Sequence, residues 1–346
     1  MLPDESLASR KADHIQINLD RDVQSGLTTG LENYRFVHCA LPEISLDQVD
    51  LSLELFGKKL LAPILISSMT GGTAKAEEIN RILATTAQEY GMAMGLGSQR
   101  VALERPETAS SFQVRRYAPD ILLFANLGAI QLNYGYGITE CQRAVEMIGA
   151  DALILHLNPL QEALQPEGNL DFSGLLRKIE KICRELTVPV IVKEIGWGIS
   201  RNIATALVEV GVAAIDVAGA GGTSWSQVEM FRMKEARDAR IASAFRDWGI
   251  PTAESILMVR AGAPQIPVIA SGGLRNGVDI AKCVALGAVM GGIAGKFLKA
   301  AAVSYDETTQ MAREIKREIQ ICMFASGAKT LKELDMTKII EIKGEQ

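Results

Sequence analysis

Between Leu61 and about Ala302 the chain alternates a short apolar run with a stretch of helical periodicity, eight times over, and few architectures accept that pattern. The runs are PILIS (63–67), MAMGLG (92–97), ILLFANLG (121–128), ALILHLN (152–158), PVIVKEIG (189–196), AAIDVAG (213–219), PVIASGG (267–273) and AVMGGIAG (288–295). The segments between them, such as AEEINRILATTAQEYG and SGLLRKIEKICREL, carry apolar residues at 3.6-residue spacing, and several end in Gly just before the next run. Strand and helix in strict alternation predict an α/β fold with parallel strands, and eight units predict a closed (β/α)8 TIM barrel. The alternative is an open doubly wound sheet, which would call for a break after six strands and a G-x-G-x-x-G after the first; the chain shows neither.

Two pieces fall outside the repeat. Residues 1–60 form an N-terminal extension to a barrel of residues 61–346, and YRFVHCALPEISLDQVDLSLELFGKKL (34–60) reads as a β-meander or hairpin covering one barrel face. Residues 223–250 make an unusually long connection after strand six, a place where such barrels carry lids and binding loops. The balance of 48% hydrophobic residues with a net charge of −5 suits a cytoplasmic globular protein and argues against general nucleic-acid or anionic-membrane binding. No apolar targeting segment and no uncharged span of about 18 residues is present, so no membrane association is expected. The five cysteines are scattered without a C-x-x-C pair, as reduced thiols would be.

The polar residues gather where the strands end. In LHLNPLQE (155–162) an apolar strand runs into Asn158, Gln161 and Glu162, and Pro159 stops the ladder between them. Parallel α/β folds keep their chemistry at that end. SSMTGG (67–72), GSQR (97–100), ANLG (125–128) and GAGGTSW (219–225) follow strands one, two, three and six. Strands seven and eight end in SGGLRNG (271–277) and GGIAGKF (291–297), the paired Gly-rich loops that bind phosphate in barrels, so a phosphorylated cofactor is expected there. Lys193 sits inside the apolar strand VIVKEIG, and a buried ammonium requires an anionic partner. Alternation sends Lys193 and Glu194 to opposite faces. Lys193 fits either an internal ion pair with Asp216 or a cation held against an electron-rich cofactor ring such as a reduced flavin. His156 shares a strand face with Asn158 and fits either a core histidine or a catalytic one.

Together SSMTGG, GLGSQR, ANLGA, LHLNPLQE, KEIGWG, DVAGAGGTSW, SGGLRNG and the N-terminal RKADHI (10–15) resemble the type 2 isopentenyl-diphosphate isomerases, FMN-dependent (β/α)8 proteins. The resemblance spans nearly the whole chain, with Asp13 where the family pattern leads one to expect Glu, and it is thin over 226–250 and beyond about 305. It implies interconversion of isopentenyl and dimethylallyl diphosphate by a 1,3-allylic proton shift, with reduced FMN as acid and base, NADPH as its reductant and Mg²⁺ on the diphosphate. On the same footing Ser68, Met69, Thr70, Ser98, Asn126, Lys193, Thr223, Gly273, Leu274, Arg275, Ala294 and Gly295 would hold FMN. The resemblance assigns the diphosphate to Arg10, Lys11, His14, Ser98, Gln99 and Arg100, and Mg²⁺ to Glu162. Gln161 would face the hydrocarbon end, Asn158 and Gln161 would position the substrate, and residues 1–60 would close over it. Homo-oligomers, tetramers or octamers, are also implied.

Two oxidoreductase readings compete. A 2-hydroxy-acid oxidase would carry His-Gly-Gly-Arg after a late strand, and an inosinate-dehydrogenase-like enzyme a Cys in the strand-six loop; GAGGTSW contains neither His nor Cys. A non-catalytic flavin-binding scaffold would leave NPLQE and RK-x-x-H without a purpose.

Overall fold

The computed structural model describes residues 13–14 and 16–342. Its centre is a closed barrel of eight parallel strands: β1 (Ile64–Ile66), β2 (Ala93–Gly95), β3 (Leu123–Gly128), β4 (Ala152–His156), β5 (Val190–Lys193), β6 (Ala214–Asp216), β7 (Val268–Ser271) and β8 (Met290–Ile293). Each strand pairs with the next, and β8 closes on β1 through Gly291 opposite Ile64 and Ile293 opposite Ile66. The (β/α)8 expectation is met strand for strand.

Period-two alternation splits the core into two layers. Leu65, Ala93, Phe124, Ala152, Ile154, Ile191, Ala214, Ile269 and Met290 fill the barrel, while Ile64, Ile66, Met94, Leu123, Leu153, Val192, Ile215 and Val268 pack outward under the helices. Because both faces are covered, the strands read as continuous apolar runs rather than as alternating ones.

The helical layer departs from strict repetition. After β2 only Arg100–Glu104 is α-helical, and Pro106 starts a 3-10 stretch to Phe112 where a longer helix would be expected. After β8 a helix of residues Gly295–Val303 comes first, and Ser304 then caps a 21-residue helix, Tyr305–Ala325, accepting a hydrogen bond from the Glu307 N–H. That second helix packs against Ala74–Tyr90 and Gly277–Ala285, so it takes the place of the eighth barrel helix. The barrel therefore extends well past Ala302. Among the described residues no helix is long and apolar enough to cross a membrane.

The stretch 34–60 is not one meander. Leu53–Leu55 and Lys58–Leu60 form an antiparallel hairpin whose turn residues Phe56 and Gly57 both have positive φ, as the tight hairpin turns require. Leu55 and Leu60 join the inner barrel cluster, so the hairpin plugs the end where the strands begin. Tyr34–Phe36 pairs instead with Ile339–Glu341, a partner some 300 residues away that local reading cannot supply. Of the described extension, His14, Asn18, Arg21, Val23 and Gln24 line the opposite rim and the hairpin lies far from it.

The plug has a measurable worth. Leu60 is fully buried, so Leu60→Ala should cost about 2–5 kcal/mol in denaturant unfolding. Leu170→Ala, at a site 68% exposed, should leave the midpoint nearly unmoved.

Candidate active site

All eight strands contribute to one cavity of about 560 Å³ at their C-terminal rim, a size within the usual range for cofactor and small-molecule sites. Ser68, Met69 and Thr70 enter from β1, Ser98 and Arg100 from β2, and Asn126 from β3. His156, Asn158, Gln161 and Glu162 come from β4, Lys193 from β5 and Thr223 from β6. Gly273, Leu274 and Arg275 follow β7, and Ala294 and Gly295 follow β8. His14 reaches the same cavity from the extension, whereas Arg10 and Lys11 lie outside the described residues.

Gln99 is placed elsewhere. Its side chain is fully buried behind the wall, where its Oε1 accepts the Asn126 N–H at 2.9 Å and its amide donates to Ala144 O at 2.8 Å. At the N-cap of the helix Arg100–Glu104, Gln99 turns away from the cavity that Ser98 and Arg100 line, and its side chain props Asn126 from behind. Asn126 Oδ1 in turn lies 2.8 Å from His156 Nδ1.

The floor of the cavity is a buried ionic ring. Lys193 Nζ lies 2.8 Å from Asp216 Oδ2 and donates to Ser271 Oγ at 3.0 Å, and Ser271 Oγ donates to Asp216 Oδ1 at 2.6 Å. The two readings of Lys193 are thus compatible, since it pairs with Asp216 and still faces the cavity. Glu194 points the other way, and its Oε2 accepts the N–H groups of Ile195, Gly196 and Trp197 at 2.6–2.7 Å. Burial pushes the Glu194 carboxyl up to about 7, against those three donors and the Lys193 charge.

One wall escaped the sequence reading. The long connection after β6 folds into the helices Trp225–Arg232 and Ala236–Ser243, and Glu229 on the first is fully buried just behind the cavity. Its Oε1 is 3.1 Å from His14 Nε2 and accepts from Gln161 Nε2 at 2.9 Å, while Oε2 accepts from Arg232 at 2.5 Å. Burial alone would raise the Glu229 carboxyl; the His14 hydrogen bond and charge, with Arg232 and Gln161, outweigh it and hold the group down at about 2. Trp225 meets the His14 ring edge-on at 5.1 Å. Trp225, Glu229 and Arg232 share a helical face at i, i+4 and i+7, the only sequence signal that could have exposed them. The extension is stitched to this connection by Ser25 N–H to Gly222 O and Ser224 N–H to Val23 O, both 2.8 Å.

Several features fit a polar, phosphorylated occupant. Ser67 Oγ, Ser68 Oγ and Asn158 Oδ1 are buried on the cavity wall without a hydrogen-bond partner among the described residues, a state native proteins normally resolve with a ligand or water. At the β7–β8 end a Cβ on Gly273, whose φ is +75°, would lie 2.5 Å from Gly221 O; one on Gly222 would lie 2.6 Å from Gly273 N. Only glycine permits that backbone approach, and beside it lies the N-terminal end of helix Gly295–Val303, with Lys296 and Lys299 also lining the cavity. Glu162 Oε1 accepts from Asn158 at 2.9 Å and Oε2 from the Asn169 N–H at 2.6 Å, so its carboxylate is fixed. No group of three or more His, Cys, Asp or Glu able to hold a metal occurs among the described residues.

The FMN-dependent dehydrogenase family matches residues 161–341. An isopentenyl-diphosphate delta-isomerase of Nostoc sp. is 56% identical over 94% of this chain and 93% of its own length. The protein of that name from Rickettsia africae is 52% identical over 98% and 99%. The chain belongs to the isopentenyl-diphosphate delta-isomerase family. Among solved structures, this family member resembles mandelate oxidase with (S)-2-phenylpropionate, at a TM-score of 0.67, 19% identity, and 97% coverage of both chains. A flavocytochrome b2 variant with benzoylformate gives 0.68 at 15% identity, covering all of this chain and 85% of its own. Those two likenesses concern the fold alone.

Glu194 gives the site a pH signature. A carboxyl raised from 4.5 to about 7 on folding contributes stability that is complete below about pH 4.5 and is lost as the pH rises toward 7. The melting temperature of Glu194→Gln should therefore gain on that of the parent as the pH rises from about 5 to about 7 and run parallel above it. Parallel curves throughout would mean that Glu194 is ionised across the range.

Proposed function

We propose that the chain interconverts isopentenyl diphosphate and dimethylallyl diphosphate by a 1,3-allylic proton shift. Family membership supports the substrate pair, and the match to the FMN-dependent dehydrogenase family supports FMN. The observation that carries the reading is a single cavity with a glycine-built phosphate cradle at one end, cationic and imidazole groups at the other, and a buried ammonium between them. Two phosphorylated molecules can lie in it with their reacting parts over Lys193.

Protonating an unactivated alkene and removing an allylic proton exceed ordinary side chains, and reduced FMN would supply the acid and base for that exchange. The chain's own residues bind and orient. Ser68, Met69, Thr70, Ser98, Asn126 and Thr223 would hold the cofactor's ring and ribityl regions. Gly273, Leu274, Arg275, Ala294 and Gly295 would hold its phosphate through main-chain N–H groups. Lys193 would stabilise negative charge on the ring. Arg10, Lys11, His14, Ser98 and Arg100 would take the substrate diphosphate, and residues 1–60 would supply the part that closes over it. Glu162 would offer Mg²⁺ one oxygen ligand, with diphosphate oxygens and water completing the shell, as suits a hard cation. Gln161 is held at both ends, by Asn158 and by Glu229, so its amide has a fixed orientation toward the hydrocarbon. Trp225 closes the side of the cavity and keeps water from the reacting carbons. We assign NADPH as the reductant and a cytoplasmic homo-oligomer as the working form.

The oxidoreductase reading takes support from fold likeness and from the dehydrogenase family match over 161–341, but the loop 219–225 lacks the His or Cys that such chemistry would use. Counting settles between them. Anaerobic turnover should give far more dimethylallyl diphosphate than NADPH consumed and should stop on reoxidation by air; one product per nicotinamide would mean net redox chemistry. Glu162→Gln should retain FMN and lose about a hundredfold in rate together with its Mg²⁺ dependence. Unchanged turnover in that variant would remove Glu162 from the metal site.

A further inference from the structure

Lys193 donates to Ser271 Oγ at 3.0 Å and forms an ion pair with Asp216, whose Oδ2 lies 2.8 Å from Nζ but accepts no aligned hydrogen bond. All three residues face inward at the ends of consecutive strands β5, β6 and β7, where Lys193 registers opposite Asp216. Their side chains are buried. The ring has a direction. Ser271 spends its one hydrogen on Asp216 Oδ1 at 2.6 Å, so its oxygen can only accept from Lys193. Asp216 Oδ1 also accepts the N–H of Ala218 at 3.3 Å, a residue held at φ +35° on the cavity wall. The carboxylate is thus clamped between the strand-six turn and the ammonium. Lys193 lines the cavity at the same time.

We propose that Asp216 and Ser271 are positioning residues that hold Lys193 as a fixed cation aimed at the cofactor ring, and that the Asp216 charge sets how strongly that cation acts on the ring. Removing the ring from either side has different consequences. Without the Asp216 charge the ammonium acts on the cofactor unattenuated while it keeps its proton, but it loses that proton more readily, since an opposite charge at under 3 Å favours the charged form. Without the Ser271 hydroxyl the charge balance is intact and only the aim is lost. The other titratable groups near Lys193 are His156, on neighbouring β4 and hydrogen-bonded to Asn126, and Glu194, turned to the outer face.

The inference rests on FMN binding and on the proposed isomerisation, and its test uses a readout independent of turnover. The midpoint potential of bound FMN is measured against pH for the parent, Asp216→Asn, Ser271→Ala, Lys193→Gln and the double variant Lys193→Gln/Asp216→Asn. At pH 6 Asp216→Asn should shift the potential positive, and the shift should change in size in the Lys193→Gln background, where only the carboxylate's own field on the ring is removed. The alkaline limb of kcat for Asp216→Asn should move to lower pH by about one unit or more. Ser271→Ala should leave that limb in place and lower kcat about tenfold with KM little changed. A potential shift of the same size with and without Lys193, or an Asp216→Asn limb coincident with the parent's, overturns the proposal. If Asp216→Asn does not fold with FMN, Ser271→Ala decides, and an unchanged kcat there is equally fatal. A parent that shows no isomerisation defeats the functional reading alone, because the potentials still report the Lys193–Asp216 coupling.

Discussion

Closing eight parallel strands into a barrel brings every strand's C-terminal end to one rim and leaves the interior with a single polar mouth. Along β5, β6 and β7 the inward positions pass from Ile191 to Lys193, from Ala214 to Asp216 and from Ile269 to Ser271. One residue pair deeper the barrel is sealed by Phe124, Ile154 and Met290 and plugged by Leu55 and Leu60. A charge at the level of Lys193 is tolerable only because its counter-charge arrives on the neighbouring strand at the same height. Strand register therefore comes first, and the ionic ring, the cavity above it and the loops around it follow from it.

The loops obey the same economy of space. Glycines at 222, 272 and 273 let the turns after β6 and β7 touch backbone to backbone, and Gly221 lets Thr28 and Thr29 press on the first of them. Glu194 holds the turn after β5 by accepting its three N–H groups, and Gln99 holds Asn126 from behind. Residues facing the cavity are thus mostly fixed by residues that do not. Glu229 shows this most clearly, since one buried carboxylate joins the extension through His14, the strand-four loop through Gln161 and its own helix through Arg232.

The barrel, its eight strands to within about three residues at their ends, and most of the residues that face the cavity from the strand ends were legible in the chain. Alternation and Gly-rich punctuation are local signals, and a parallel barrel converts position along a strand directly into depth in the site. Less legible was anything that depends on a distant partner. Tyr34–Phe36 looked like part of a local meander and pairs with Ile339–Glu341 instead. Gln99 looked like its neighbours Ser98 and Arg100, yet sits on the hidden side of its turn. The helix Tyr305–Ala325 carried little resemblance and nonetheless completes the helical ring.

What the sequence determined by itself is periodicity: eight strands, helices between them, polar residues at the strand ends, and a lysine in an apolar run that demanded a partner. The tertiary structure decided the pairings. It joined Lys193 to both Asp216 and Ser271, brought Glu229 from the long connection after β6 to His14 and Gln161, and sent the hairpin to one end of the barrel and His14 and residues 18–24 to the other. The physical reason is that composition and spacing specify which side chains must be buried or paired, whereas the choice among candidate partners depends on distances that exist only once the barrel has closed.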